Sequence, residues 1–245
     1  MDSENRKQTD RAGLPRWLVA VIRVVLAAAL PLALVLINAR LLMSNAYLRW
    51  EYNKPGFPED SFGLTKEDRL RYAPLALAYL FNNAGIGFLG DQVFPDGAPL
   101  YNERELSHMV DVKLVTQGLV RFGLGLVGVY LVCVALLAVR SETRPALYTA
   151  LFAGSALTVG LLLAGVLTVG LAFDWLFIQF HALFFEGDTW IFKYSDTLIR
   201  LFPEQFWVDA FLLIFGGALV ESVILGAVMW FLSRRQRSFQ RGAVS

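Results

Sequence analysis

Only two histidines occur in the chain, His108 and His181. His108 stands in NERELSHMVDVK, Asn102–Lys113, flanked by Glu105 and Asp111 at a spacing of three on each side. On a helix that spacing places both carboxylates on the face of the imidazole. A carboxylate there favours the imidazolium and can fix one ring nitrogen in a single tautomer, which is how a general base is prepared. The plainer alternative for Glu105 and Asp111 is a polar helix start, with acids favourably near its N-terminus. His181 lies in an aromatic stretch, just ahead of EGDTW, Glu186–Trp190. That segment offers Asp188 and Trp190 as supporting residues, although a turn at Gly187–Asp188 is its simplest reading.

Other chemistry is sparse. There is no GxSxG elbow, no HExxH and no CxxC. ERELSH contains one ExxH, half of a di-iron carboxylate pattern, but a second copy is missing. Two histidines and a carboxylate would make a catalytic zinc set; the reading preferred here uses no metal and no cofactor. Arg121 and Glu221 fall inside apolar blocks, where a charge is costly and usually paired. Their pairing across a helix bundle is the first expectation. Arg23 and Arg40 sit near block ends and can snorkel.

The elements that must position these residues are long apolar blocks. The chain is 56% hydrophobic, with 19 phenylalanines. Its apolar residues collect in runs rather than recurring periodically, the pattern of a bilayer-spanning chain. A net charge of +1 leaves no nucleic-acid footprint. The single Cys133 lies within an apolar block, so intrachain disulfides are excluded and a small packing residue is expected.

Four blocks, Trp17–Met43, Leu114–Val139, Ala146–Phe173 and Val208–Leu232, exceed the roughly 20 residues needed to cross a ~30 Å core. They must be helices, because lipid leaves no partner for open backbone. With Val112 and Lys113 added ahead of the second block, the spans are 17–43, 112–139, 146–173 and 208–232. Pro31 predicts a kink in the first span. Arg6, Lys7, Arg11 and Arg16, the link RSETR (140–145 with Pro145) and the tail SRRQRSFQR alternate onto one side, which the charge bias makes cytoplasmic. Both tails, 1–16 and 233–245, are therefore expected inside. A cleaved signal peptide, with h-region Val24–Ile37 and cleavage near Ser44–Ala46, competes for the first block. Arg40 and the length of the apolar run favour a span.

Two segments remain outside, 44–111 and 174–207. In the first, Thr65 and Asp68 predict a capping box opening a helix over LTKEDRLRYAPLALAYL. The second is too aromatic for a solvated loop and suits the membrane–water interface. The expected fold is thus an all-α membrane protein, four transmembrane helices under an extracytoplasmic, interface-lying cap built from two outer loops. Glycines of the third span, Gly154, Gly160, Gly165 and Gly170, suit close helix packing.

This layout brings the histidines together. The second and third spans run antiparallel about their tight link. At about 1.5 Å rise per residue both histidines stand roughly 50 Å from that link, just above the hydrocarbon edge. The estimate assumes that helix continues past each block boundary.

YNERELSHMVDVK, QFHALFFEGDTWIFKYSDTLIRLFPEQFW and YNKPGFPEDSFGLTKEDRLRYA resemble signature blocks of a bacterial integral-membrane family that includes the lipoprotein intramolecular transacylases. The resemblance covers nearly the whole chain apart from the tails. It implies a multi-pass protein of the bacterial cytoplasmic membrane with its site facing outside. The implied substrate is a diacylated bacterial lipoprotein, from which one ester-linked acyl chain moves to the α-amino group of the N-terminal cysteine. Membrane lipids are the other expected partners, and no nucleic acid is. The family's paired histidines correspond to His108 and His181. Such chemistry needs a base for the amine proton and an acid for the departing glycerol oxygen. The first assignment is His108 as base, backed by Glu105 or Asp111, with His181 as acid or oxyanion donor; the reverse assignment is the alternative. A metal-dependent membrane hydrolase and a non-enzymatic lipid-binding or assembly protein are the competing functions.

Overall fold

The computed structural model describes residues 13–242, with side chains described to 236. Arg6, Lys7, Arg11 and the end of the C-terminal tail lie outside the described residues. The nine helices there are α1 (Arg16–Leu42), α2 (Asn45–Tyr52), α3 (Lys66–Phe81), α4 (Gly87–Gly90), α5 (Glu103–Ala138), α6 (Arg144–Leu171), α7 (Phe173–Phe184), α8 (Thr197–Leu201) and α9 (Glu204–Gly242). Among the described residues there is no strand, only an isolated bridge between Val93 and Pro99.

Four helices, α1, α5, α6 and α9, are long and apolar enough to cross a membrane. Their outward faces carry exposed Leu124, Leu131, Leu167 and Val223, as side chains facing lipid should. α6 is the central helix, packed on both α1 and α9. Small residues permit this: a Cβ on Gly154 would lie 3.1 Å from the Ala27 backbone, and one on Gly226 3.1 Å from Ser155 Cβ. A second apolar cluster, Ile22, Leu26, Leu137, Leu147 and Leu151 with Cys133 against it, closes the end near the α5–α6 link. Pro31 is buried inside an uninterrupted α1, so the proline does not divide the helix.

At the other end, α2, α3, α4, α8 and the first turns of α5 and α9 form a cap with its own aromatic core. Tyr47, Tyr52, Tyr72, Tyr79, Tyr101 and Phe206 dominate it. The cap is therefore more than an interface-lying surface: its tyrosines bury against one another and against Leu89, Leu100 and Leu201. The predicted capping box is present. Thr65 Oγ1 accepts from Asp68 N at 3.1 Å and Asp68 Oδ2 accepts from Thr65 N at 3.0 Å.

Candidate active site

α5 begins where its sequence permits. Asn102 Oδ1 accepts from Glu105 N at 3.0 Å, and Glu105 Oε2 accepts in return from Asn102 N at 2.8 Å, a reciprocal cap that satisfies two orphan donors. With the helix fixed at Asn102, Glu105, His108 and Met109 share the buried face. His108 lies ahead of the apolar stretch that starts at Leu114.

His181 reaches the same place by a less direct route. α6 ends at Leu171; Ala172 has φ −150° and ψ 47°, and the chain restarts as α7. The helix is thus broken where continuity was expected, yet the short restart keeps the height. The two imidazoles lie face to face, ring centres 6.1 Å apart and 24° from parallel.

Aromatic rings enclose the pair. Phe185 and Phe192 meet the His108 ring edge-on at 4.9 and 5.3 Å. Phe177 lies 4.1 Å from His181, and Trp190 tilts over it at 4.8 Å. Both histidines are more than nine-tenths buried. Burial in such surroundings disfavours a charge, so the imidazolium is destabilised. Burial, helped by the nearby His181, pushes His108 down to about 4. Burial lowers His181 as well, against an opposing hydrogen bond to Phe177 O. That bond, Nδ1 to O at 2.8 Å, settles a tautomer. A carbonyl only accepts, so His181 Nδ1 must carry a proton, and in the neutral ring Nε2 keeps its lone pair. His108 Nδ1 is buried without a partner.

The remaining predicted residues divide. Trp190 is at the site. Glu105 is nearly inaccessible, but both its oxygens are engaged elsewhere: Oε2 on Asn102 N and Oε1 on Leu198 N at 2.6 Å. Burial raises its carboxyl despite those bonds. It therefore anchors α8 to α5 and gives no hydrogen bond to His108. Asp111 makes no hydrogen bond or ion pair among the described residues. Asp188 is exposed, with Oδ2 3.7 Å from Arg104 Nη1. Arg121 and Glu221 are not brought together. Glu221 Oε2 accepts from Asn38 Nδ2 at 2.9 Å, and Arg121 Nη2 donates to Gln117 Oε1 at 3.4 Å. The amide of α1 supplies the partner that the sequence assigned to an arginine. No group of three or more His, Cys, Asp or Glu converges among the described residues, so the histidine pair has no third ligand of these types.

Two features were not anticipated. Arg104 Nη1 donates to the carbonyls of Asp188 and Ile191, both at 3.3 Å, and so holds the turn that carries Trp190. Gly187 at φ 70° opens that turn. On α2, Glu51 is fully buried with Oε2 unpartnered. Lys54 bridges Glu51 Oε1 to Asp209, joining α2 to α9. Burial, with the neighbouring Asp209 carboxyl, raises Glu51 to about 7.

The family described as lipoprotein intramolecular transacylase Lit matches residues 24–207. An uncharacterized protein of Aquifex aeolicus (strain VF5) is 30% identical over 228 residues, 93% of this chain and 98% of that protein. The membrane-integral Lit of Bacillus cereus, solved in meso, shares the fold. Its TM-score is 0.70 at 22% identity, covering 91% of this chain and 99% of that one. A variant of that protein with one histidine changed to alanine gives 0.63 at 22% identity, covering 91% and 96%. With the family matched across most of its length, the chain belongs to the lipoprotein intramolecular transacylase family and is a membrane-integral acyltransferase.

Proposed function

We propose that the chain moves an ester-linked acyl chain from the diacylglyceryl group of a lipoprotein to the α-amino group of its N-terminal cysteine. The observation that carries this reading is the stacked histidine pair in an aromatic pocket, with His181 Nδ1 held on Phe177 O. The attacking amine belongs to the substrate, so no serine or cysteine nucleophile is required. An α-amine of ordinary pKa near 8 is easily obtained neutral in an apolar pocket. As its nitrogen bonds to the ester carbonyl carbon, it becomes acidic, and His181 Nε2 accepts the proton. His108 donates a hydrogen bond to the carbonyl oxygen as it gains charge. The carbon–oxygen ester bond breaks, and the proton on His181 passes to the departing glycerol oxygen. The product is an N-acyl, S-monoacylglyceryl lipoprotein.

This assignment reverses the roles expected from sequence, because Glu105 is engaged elsewhere while a carbonyl orients His181. Phe177, Phe180 and Phe185 would line the acyl chains. We place both termini in the cytoplasm and the histidine pocket outside, the orientation favoured by Arg140, Arg144, Arg234 and Arg235 at one end of the bundle.

The test is expression in a bacterial host lacking the activity, followed by mass spectrometry of its lipoproteins. The wild-type chain should generate the lyso-form. His108→Ala and His181→Ala should each reduce it about 100-fold or more, the usual scale of a proton-transfer residue. Undiminished lyso-form in both variants would sink the proposal.

A further inference from the structure

Cations gather on the last turn of α3, at the level where α1 ends and further along α5 than the histidine pocket. Arg40, in the last turn of α1, has its guanidinium 4.5 Å from the centre of the Phe81 ring. Lys113 Nζ donates to Asn82 Oδ1 at 3.1 Å and Ala84 O at 2.7 Å, and lies 4.0 Å over Tyr79. Gln117 Nε2 donates to the carbonyls of Leu80 and Asn82 at 3.2 and 3.3 Å, while its Oε1 accepts from Arg121. Arg40 and Lys113, from two spanning helices, thus meet residues 79–84, and Arg121 is tied to the same segment through Gln117. None of them pairs with a carboxylate among the described residues.

Lys113 is occupied in capping α3, but the arginines are not spent. Each guanidinium carries five N–H groups. Arg40 gives one to Met43 O at 3.2 Å, and Arg121 gives one to Gln117. Both are exposed beside exposed Leu41, Phe81, Leu114 and Phe122. Leu114, Gly118, Arg121, Phe122 and Gly125 recur at helical spacing along one strip of α5. A Cβ on Gly118 or Gly125 would meet nothing within 4 Å, so the strip is open along its length.

We propose that this cluster binds the phosphate of an anionic phospholipid, whose acyl chain lies along the α5 strip. Guanidinium forks match phosphate oxygens, and cations at a bilayer edge attract anionic headgroups. Unpaired charge beside hydrocarbon is costly, and a phosphate relieves it. A free anion would use the arginines but leave the strip without a role; a lipid uses both.

Native mass spectrometry on protein in micelles supplied with phosphatidylglycerol or phosphatidylcholine tests this. The wild-type chain should retain phosphatidylglycerol about fivefold better per engaged cation, the equivalent of roughly 1 kcal/mol each. Arg40→Gln/Arg121→Gln should lower its retention to that of phosphatidylcholine without shifting the melting temperature. Arg121→Gln alone, on the lipid-facing surface, carries the same test if the double variant folds poorly. Equal retention of the two lipids by the wild-type chain would overturn the proposal, as would an undiminished preference in the variants. Displacement of phosphatidylglycerol by millimolar inorganic phosphate would assign the cations to a free anion and overturn it too.

Discussion

An imidazole surrounded by phenylalanines has little to gain from a proton, and this chain holds two such rings within one pocket. His108 is pushed to about 4 and His181 is lowered by burial. Having only these two histidines, the protein permits a direct check. Nuclear magnetic resonance of histidine-labelled protein in micelles should show the His108 ring neutral at pH 6, and neutral His181 carrying its proton on Nδ1. His108 should begin to charge only toward pH 4. A ring titrating near 6.5 would contradict the pocket as described. Stability follows the same sign. The folded value lies below the unfolded one, so between about 6.5 and 4 the unfolded chain binds the proton that the folded chain refuses. Folded stability therefore falls as pH drops through that window. At this scale the sequence made the histidines conspicuous, because two in so apolar a chain stand out. It left Glu105 between partner of His108 and helix-start acid, because the spacing of three from His108 is visible while the partner Leu198 N is 93 residues away. Asn38 escaped notice for the same reason: its bond to Glu221 spans 183 positions.

Between elements, single side chains act as fasteners. Glu105 Oε1 and Oε2 hold the starts of α8 and α5, one oxygen to each. Replacing it by alanine would strand the buried Leu198 N–H, which costs about 1–3 kcal/mol when left unpaired, and turn the Asn102 N–H over to solvent. Glu105→Ala should therefore lower stability by about 2 kcal/mol, read as a lower melting temperature, with Glu105→Gln recovering part of it. An unchanged melting temperature would return Glu105 to a purely chemical role. Arg104 fastens an element of a different kind, the turn that carries Trp190. Its side chain is half exposed and touches neither imidazole, so it acts by positioning. Arg104→Ala should lower kcat/KM about tenfold while leaving the histidine titration unchanged, with Arg104→Lys recovering part of it because one nitrogen, Nη1, makes both bonds and an ammonium can donate twice. A shift in the histidine titration would instead show that the pocket had opened. These fasteners were invisible in sequence, where Arg104 is one basic residue among several at a polar helix start. The break at Ala172 was hidden as well, since LTVGLAFDWLF carries no proline and its one charge, Asp174, lies beyond the break.

For the whole molecule, the long apolar blocks dictate four spans, and that much is legible because hydrocarbon thickness sets a length no soluble helix needs. How the spans pack is not legible, since a glycine facing a neighbour and a glycine facing lipid look alike in sequence. α6 contains both kinds. Gly154 sits against the α1 backbone at Ala27, with Leu30 Cβ a further 3.2 Å contact, while Gly160 has open space around it. The difference is testable by matched substitutions. Gly154→Val would drive its branched side chain into backbone that cannot rotate away, and overpacking of that kind costs about 1–3 kcal/mol or more. Because α6 also carries α9, separating it from α1 would loosen the frame that sets α7 beside α5. Gly154→Val should thus lower both the melting temperature and the yield of lyso-form lipoprotein. Gly160→Val meets nothing, adds apolar surface toward the bilayer and should leave both within about 0.5 kcal/mol of wild type. If the two variants behave alike, close approach of α1 and α6 is not what fixes the histidines at a common height.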